Sequence, residues 1–318
     1  MTAGARSADG ASVVGTLDIG GTHVSAARVA LARRSVEPET LRRVTISPDA
    51  PRDELLAAIR AAALAVRDPG TVFWGVAVPG PFDYDRGVAL LRGVRKLDAL
   101  YGTDLRSALT AALELGDAKQ IRFINDAAAF LLGEWWVGAA AGHDAAIGVT
   151  CGSGLGSAFL RGGRLVESGP RVPPEARLDL LRYRGQPVED VVSGRGVVAA
   201  YRARGGGAAD AAGVARRARE GDLAAVEVWR GFGEALGEVL GPWVTAFTPR
   251  CLVIGGSIAA SFDLFGPAMR QACVPLERLD FVGVAAHLEE APLLGAAYHA
   301  ARSATTLRMP GKERRVST

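Results

Sequence analysis

The chain of 318 residues is long enough for two lobes with separate cores, and its composition, 49% hydrophobic and 22% charged, is that of a soluble globular protein. Its 37 basic and 34 acidic side chains leave a net charge of only +3, which argues against a dedicated nucleic-acid or membrane partner. Basic charge is almost all arginine, with lysine at 96, 119 and 312; this reads as compositional bias, with a phosphate-reading arginine cluster as the alternative.

In chain order, residues 12–19 and 24–31 read as strands around a Gly-rich turn, Leu17-Asp18-Ile19-Gly20-Gly21-Thr22-His23. Successive backbone N–H groups in such a turn form a concavity that binds anions. Residues 53–66 predict a helix: Leu55, Leu56, Ile59, Ala63 and Val66 share one face, and Asp53 and Glu54 suit its positive N-terminal end. Residues 72–78 predict a buried strand closed by Pro79-Gly80-Pro81. A helix over 104–115 and a strand over 121–124 follow.

A second series opens with a helix over 126–136 and a strand over 145–150 that enters another Gly-rich turn, from Thr150 to Ser157. Residues 157–160 and 165–167 complete a hairpin. Residues 208–241 predict mostly helix with gaps near Gly221 and Gly231, and Gly205 to Gly207 reads as a surface turn. A buried strand over 251–254 runs into a third Gly pair, Gly255-Gly256, and a terminal helix over 291–302 is expected to return to the first lobe. Strand, Gly hairpin, strand, helix, strand thus occurs once in each half. This predicts two similar α/β lobes facing a cleft, one over 12–122 completed by 291–304 and one over 123–290. The three Gly turns suggest a site that grips a polyphosphate and its nucleoside.

Cys151, Cys251 and Cys273 are odd in number, far apart and without C-x-x-C spacing, so they fit a reducing interior. Residues 1–11 lack the apolar core of a signal peptide, and no run is long enough to span a bilayer. The expected location is the cytoplasm.

Five segments, in order and at the right spacing, carry a resemblance. They are Leu17-Asp18-Ile19-Gly20-Gly21-Thr22, Gly75-Val76-Ala77-Val78-Pro79-Gly80-Pro81, Ile124-Asn125-Asp126-Ala127, Gly152-Ser153-Gly154-Leu155-Gly156 and Ile254-Gly255-Gly256-Ser257. Together, over residues 13–302, the chain resembles the ROK family of sugar kinases, within the two-lobed actin-like ATPase (ribonuclease H-like) α/β fold. The resemblance implies ATP and Mg²⁺ as cofactors and a sugar as the partner, and homodimers are common among such relatives. It implies Asp126 as the base, with Gly80, Asn125, Glu175 and Glu189 beside it around the sugar. Asp18, Gly20, Gly21, Thr22, Gly152, Ser153, Gly154, Gly255, Gly256 and Ser257 would hold the nucleotide, Asp18 reaching Mg²⁺ through water. Two departures stand out. Relatives carry a Glu-x-Gly-His segment and a Cys-rich zinc loop; here Glu175 is followed by Ala176-Arg177-Leu178, and neither histidine nor cysteine stands between Glu175 and Glu189, so no zinc site is expected. Arg177, Arg182, Tyr183 and Arg184 are read as a packed basic segment in its place. Where relatives place a sugar-contacting Asn beside Leu, this chain has Lys96-Leu97.

Phosphoryl transfer needs an acceptor hydroxyl in line with the γ-phosphate, metal to spread charge and a carboxylate for the hydroxyl proton. Each assignment has a plainer counterpart. Asp126 is also placed as a helix N-cap, Asp18 as a strand-end residue bonding the turn, and Glu189 as a solvated glutamate at a helix start. Trp135 and Trp136 read as core or dimer contacts. The reading is an ATP-dependent kinase of a hexose such as glucose, at the 6-hydroxyl. An amino sugar, a C7-cyclitol, or a catalytically silent sugar-binding protein are the alternatives. A transcription regulator is disfavoured because the first phosphate motif begins at Leu17.

Overall fold

The computed structural model describes residues 13–93 and 97–308, the side chains of 304–308 excepted; Lys96 lies outside the described residues. The chain divides into two compact units, 1–125 with 296–318, and 126–295.

In the first unit, β1 (Val13–Ile19) and β2 (His23–Ala30) form the antiparallel hairpin around the first Gly turn. β3 (Ser35–Val36) and β4 (Arg42–Thr45) both pair with β2. After α1 (Arg52–Ala65) comes β5 (Trp74–Val78), buried throughout, then the short β6 (Phe82–Asp83) and β7 (Val88–Ala89), α2 (Leu105–Ala112) and β8 (Ile121–Asn125). The sheet order is β3-β2-β1-β5-β8, with β1, β5 and β8 parallel. Leu55 and Ile59 of α1 and Leu105 and Leu109 of α2 meet Leu17, Trp74 and Val76 in one core. Asp104 caps α2 by accepting from Ser107 N at 2.9 Å, which stops the predicted helix one residue short at its start.

The second unit begins with α3 (Asp126–Val137), entered from β8 without a loop. Residues Ala127 to Glu134 of α3 are all buried, so this helix is the unit's central post. β9 (Ala145–Cys151), β10 (Leu155–Arg161) and β11 (Arg164–Leu165) form antiparallel pairs, followed by the small hairpin β12 (Arg182–Tyr183) and β13 (Gln186–Pro187). Then come α4 (Gly194–Arg202), α5 (Ala211–Arg219), α6 (Leu223–Phe247), β14 (Cys251–Gly255), α7 (Phe262–Ala272), β15 (Phe281–Val284) and α8 (Ala291–Arg308). The sheet order is β11-β10-β9-β14-β15, with β9, β14 and β15 parallel. Each unit therefore uses one plan, a Gly-turn hairpin whose first strand continues into two parallel neighbours.

Three expectations need correction. The helix is interrupted near Gly221, but α6 runs unbroken through Gly231, Gly233, Gly237 and Gly241. Gly233 and Gly237 are there for approach: a Cβ would overlap Phe265 O at the first and lie 2.5 Å from Met269 O at the second, both on α7. β10 starts at Leu155, two residues before the predicted strand, because its pairing with β9 reaches back to the turn. The terminal helix extends to Arg308, and its first five residues, 291–295, belong to the second unit while the rest belong to the first. Trp135 donates from Nε1 to His143 O at 3.1 Å, a contact inside its own unit. Among the described residues no helix is long and apolar enough to cross a membrane.

Candidate active site

Because β1, β5 and β8 are parallel, their carboxyl ends lie at one edge of the first sheet, where open α/β sheets bind ligands. Asp18, half-buried and next to last in β1, is in register with Ser25 on β2 and Ala77 on β5. Gly20 N donates to His23 O at 2.9 Å, and Ile46 N donates to Thr22 O at 2.9 Å, so the Gly20-Gly21-Thr22 turn is fastened at both ends. The exposed Thr22 hydroxyl lies 3.2 Å from His23 Nδ1. After β5 the chain passes through Pro79, Gly80 and Pro81, with the Gly80–Pro81 peptide cis. Asn125 ends β8 opposite Val78, and its Nδ2 donates to the Tyr84 hydroxyl at 3.2 Å. That hydroxyl in turn donates to Val78 O at 3.3 Å. Tyr84 escapes a sequence reading because nothing in its neighbours announces a partner forty-one residues away.

In the second unit, Asp126 opens α3, where the helix dipole favours a carboxylate. Its Oδ1 accepts from the amide of Ala127 at 2.9 Å. A capping side chain takes the amide two or three residues on. Asp126 is thus not the conventional N-cap that local sequence suggests, and its other carboxylate oxygen has no protein partner among the described residues.

The Gly152-Ser153-Gly154 turn joins β9 to β10 and is closed by Gly152 N donating to Gly154 O at 2.9 Å. Gly194 N, at the start of α4, donates to Gly152 O at 2.8 Å. Glu189 Oε1 accepts from Leu155 N at 2.7 Å, while its Oε2 lies 4.0 Å from the Arg195 guanidinium. Glu189 therefore braces the second Gly turn. Cys151, just before that turn, is fully buried; burial pushes its thiol up to about 12, so it stays neutral and unreactive. At the third Gly pair, Gly255 faces the Phe130 ring, where a Cβ would overlap, so its smallness serves packing. Gly256 has φ +78°, and a Cβ there would overlap Cys151 O. Ser257 Oγ would stand 3.5 Å from a Cβ on Gly152, which brings the second and third Gly segments side by side.

These segments form one end of a cavity of about 720 Å³, within the range of small-molecule sites. Gly152, Ser153, Gly194 and Ser257 line that end; Val198 and Trp229 are among its apolar walls. Gly154, Gly255 and Gly256 shape the turns without lining it. The Trp229 indole N–H is buried and has no hydrogen-bond partner among the described residues. An apolar-walled cavity with Gly turns at one end suits a nucleoside polyphosphate. Arg195, Arg202, Arg216 and Arg219 also border it, an arginine grouping that composition had suggested was mere bias. Arg219 is held by Asp263 at 2.7 Å.

Glu175 is not among the residues that line this cavity. It is exposed, takes φ +56°, and its Oε2 accepts from Arg177 at 3.4 Å. Arg177 also binds Asp179 at 2.6 Å, and that bond raises the guanidinium above its usual value. Ser157 Oγ donates to Ala176 O at 2.7 Å and accepts from Leu178 N at 3.0 Å, tying this segment to β10. Arg184 pairs with Glu238 at 2.9 Å, and Arg182 donates to Gly185 O at 3.1 Å. The expected basic cluster is thus a series of separately partnered arginines. Among the described residues no three His, Cys, Asp or Glu side chains group as metal ligands.

The ROK family profile matches residues 14–176 and 182–303. The chain belongs to the ROK family. Among curated relatives, the glucokinase of Thermotoga maritima is 27% identical over 312 residues, covering 88% of this chain and 95% of the relative. The N-acetyl-D-glucosamine kinase of Pectobacterium atrosepticum is 29% identical over 245 residues, covering 70% and 78%. Among solved structures, a ROK family glucokinase from Streptomyces griseus, in complex with glucose and AMPPNP, superposes with a TM-score of 0.73 at 24% identity, over 91% of this chain and 99% of that one. The fold is accordingly that of the actin-like ATPases, and this ROK protein is an ATP-dependent carbohydrate kinase.

Proposed function

We propose that this ROK kinase transfers the γ-phosphate of ATP to the 6-hydroxyl of a hexose in the cytoplasm, with Asp126 as the general base. The observation that carries the assignment is the carboxylate at the first position of α3, one oxygen held by the Ala127 amide and the other without a partner among the described residues. A base so anchored can accept a hydroxyl proton without first rotating. Asn125, next in the chain, would offer its carboxamide to a neighbouring sugar hydroxyl, and Gly80 leaves room beside it.

Gly152, Ser153 and the turn amides around them would hold phosphate oxygens, with the nucleoside along the apolar wall of the adjoining cavity. Gly20, Gly21 and Thr22 form the corresponding turn on the first sheet. A single carboxylate at Asp18 beside that turn fits Mg²⁺, which binds few protein carboxylates and keeps several waters. When bound, the metal supplies charge neutralisation at the transferring phosphoryl group. Glu189 would act by bracing the phosphate turn.

The curated relatives divide between glucose and N-acetyl-D-glucosamine as named acceptors, so these two sugars head the panel. ADP release is to be measured with wild type and Asp126→Asn. The expected outcome is turnover with at least one sugar, reduced about a thousandfold by the substitution, with sugar affinity largely kept. If no sugar raises turnover above that of the variant, the protein is a silent binder and this reading is lost.

A further inference from the structure

The ladder between β5 and β8 ends at the rung Val78 opposite Asn125. Beyond that rung the strands separate: β5 turns into Pro79-Gly80-Pro81, and β8 passes into α3. One side chain joins both residues of the last rung. Asn125 Nδ2 donates to Tyr84 Oη at 3.2 Å, and Tyr84 Oη donates to Val78 O at 3.3 Å. The same hydroxyl stands 3.4 Å from where a Cβ of Gly80 would be. The ring is itself fixed, with centroids 5.2 Å from Phe82, which in turn lies 5.1 Å from Phe123 on β8.

We propose that Tyr84 is a positioning residue that sets sugar selectivity through Asn125, an inference that rests on the kinase reading for the role of Asn125. A carboxamide turns about its last torsion with little preference of its own. The two-bond relay biases it toward the orientation that keeps Nδ2 on the phenol oxygen. With the Val78 carbonyl taking the Tyr84 proton, the phenol oxygen is left to accept, and only the Nδ2 edge of Asn125 satisfies it. The carboxamide is thereby oriented before substrate arrives, and hydroxyl patterns that need the opposite orientation are penalised.

The test is Tyr84→Phe, which keeps the ring packing and removes only the hydroxyl. Sugar dissociation constants are read by calorimetry without nucleotide, and steady-state constants are read beside them. We expect the Kd and KM for the preferred sugar to rise about tenfold, the margin over its epimers to shrink by a similar factor, and kcat and the KM for ATP to change less than twofold. Added to Asn125→Ala, the substitution should weaken sugar binding no further, since its effect passes through the lost carboxamide. An unchanged sugar Kd, losses that add in the double variant, or an equal rise in the KM for ATP overturns the proposal. A wild-type protein that binds sugars without phosphorylating them sinks the kinase reading alone, because the Kd comparison still decides the role of Tyr84. A wild type that binds no sugar ends both.

Discussion

Asp126 and Glu134 lie about two turns apart on α3 and show opposite uses of a carboxylate. On the kinase reading, the first keeps one oxygen for the acceptor hydroxyl. Glu134 is completely buried and accepts from Ala139 N at 2.7 Å, Ala286 N at 3.0 Å and His287 N at 2.7 Å. It gathers the end of its own helix and the segment after β15. Glu134→Ala leaves three amide donors without that acceptor, so we expect a loss of about 3 kcal/mol in denaturant unfolding, with Glu134→Gln losing less because one carbonyl acceptor remains. Neither Glu134 nor Tyr84 was legible in the sequence, for one reason. Their partners are backbone groups or side chains up to 153 positions away, and no local spacing encodes them. The motif residues were legible because turns are written locally, in glycines beside strands. Their protein contacts were not: Gly255 faces the Phe130 ring, Glu189 holds the Leu155 amide, and Glu175 binds Arg177.

At the scale of elements, helices and strands followed hydrophobic periodicity, and the hairpins followed their Gly punctuation. The exception is α6, where glycine was read as a break and proved to be a groove. Helix propensity counts against glycine, whereas packing against α7 requires it at particular positions. Two substitutions six residues apart separate these effects. Gly231 has open space around a would-be Cβ, so Gly231→Ala should stabilise by about 1 kcal/mol. At Gly237 the Cβ would lie 2.5 Å from Met269 O and 2.8 Å from the Ala272 methyl, so Gly237→Ala should destabilise by about 2 kcal/mol despite the same propensity gain. Thermal unfolding of the pair checks this; shifts of one sign would refute the packing account.

For the whole molecule, the repeated plan of the two sheets was legible because both halves write the same order of strand, Gly turn and strand. The way the stretch around 174–190 is fastened was not, since its missing cysteines and its arginines could be seen but not the partners of those arginines. Ser157, Asp179 and Glu238 now account for much of its attachment. Two chelation experiments follow from these fasteners and from Asp18. Dialysis against a zinc-selective chelator should leave the melting temperature unchanged, and added zinc should not raise it. Excess EDTA in the assay should abolish turnover, with magnesium restoring it. A melting temperature that falls on zinc removal would mean that metal, rather than these ion pairs, secures the stretch.

The direct passage from β8 into α3 has a consequence for how such an enzyme can change. On the kinase reading, the residue that greets the acceptor and the residue that deprotonates it are consecutive, their Cα atoms about 3.8 Å apart. Recognition and reactivity are then inherited as one dipeptide. New acceptor preferences must arise by adjusting what surrounds that pair, because altering its spacing would forfeit the reaction along with the old preference.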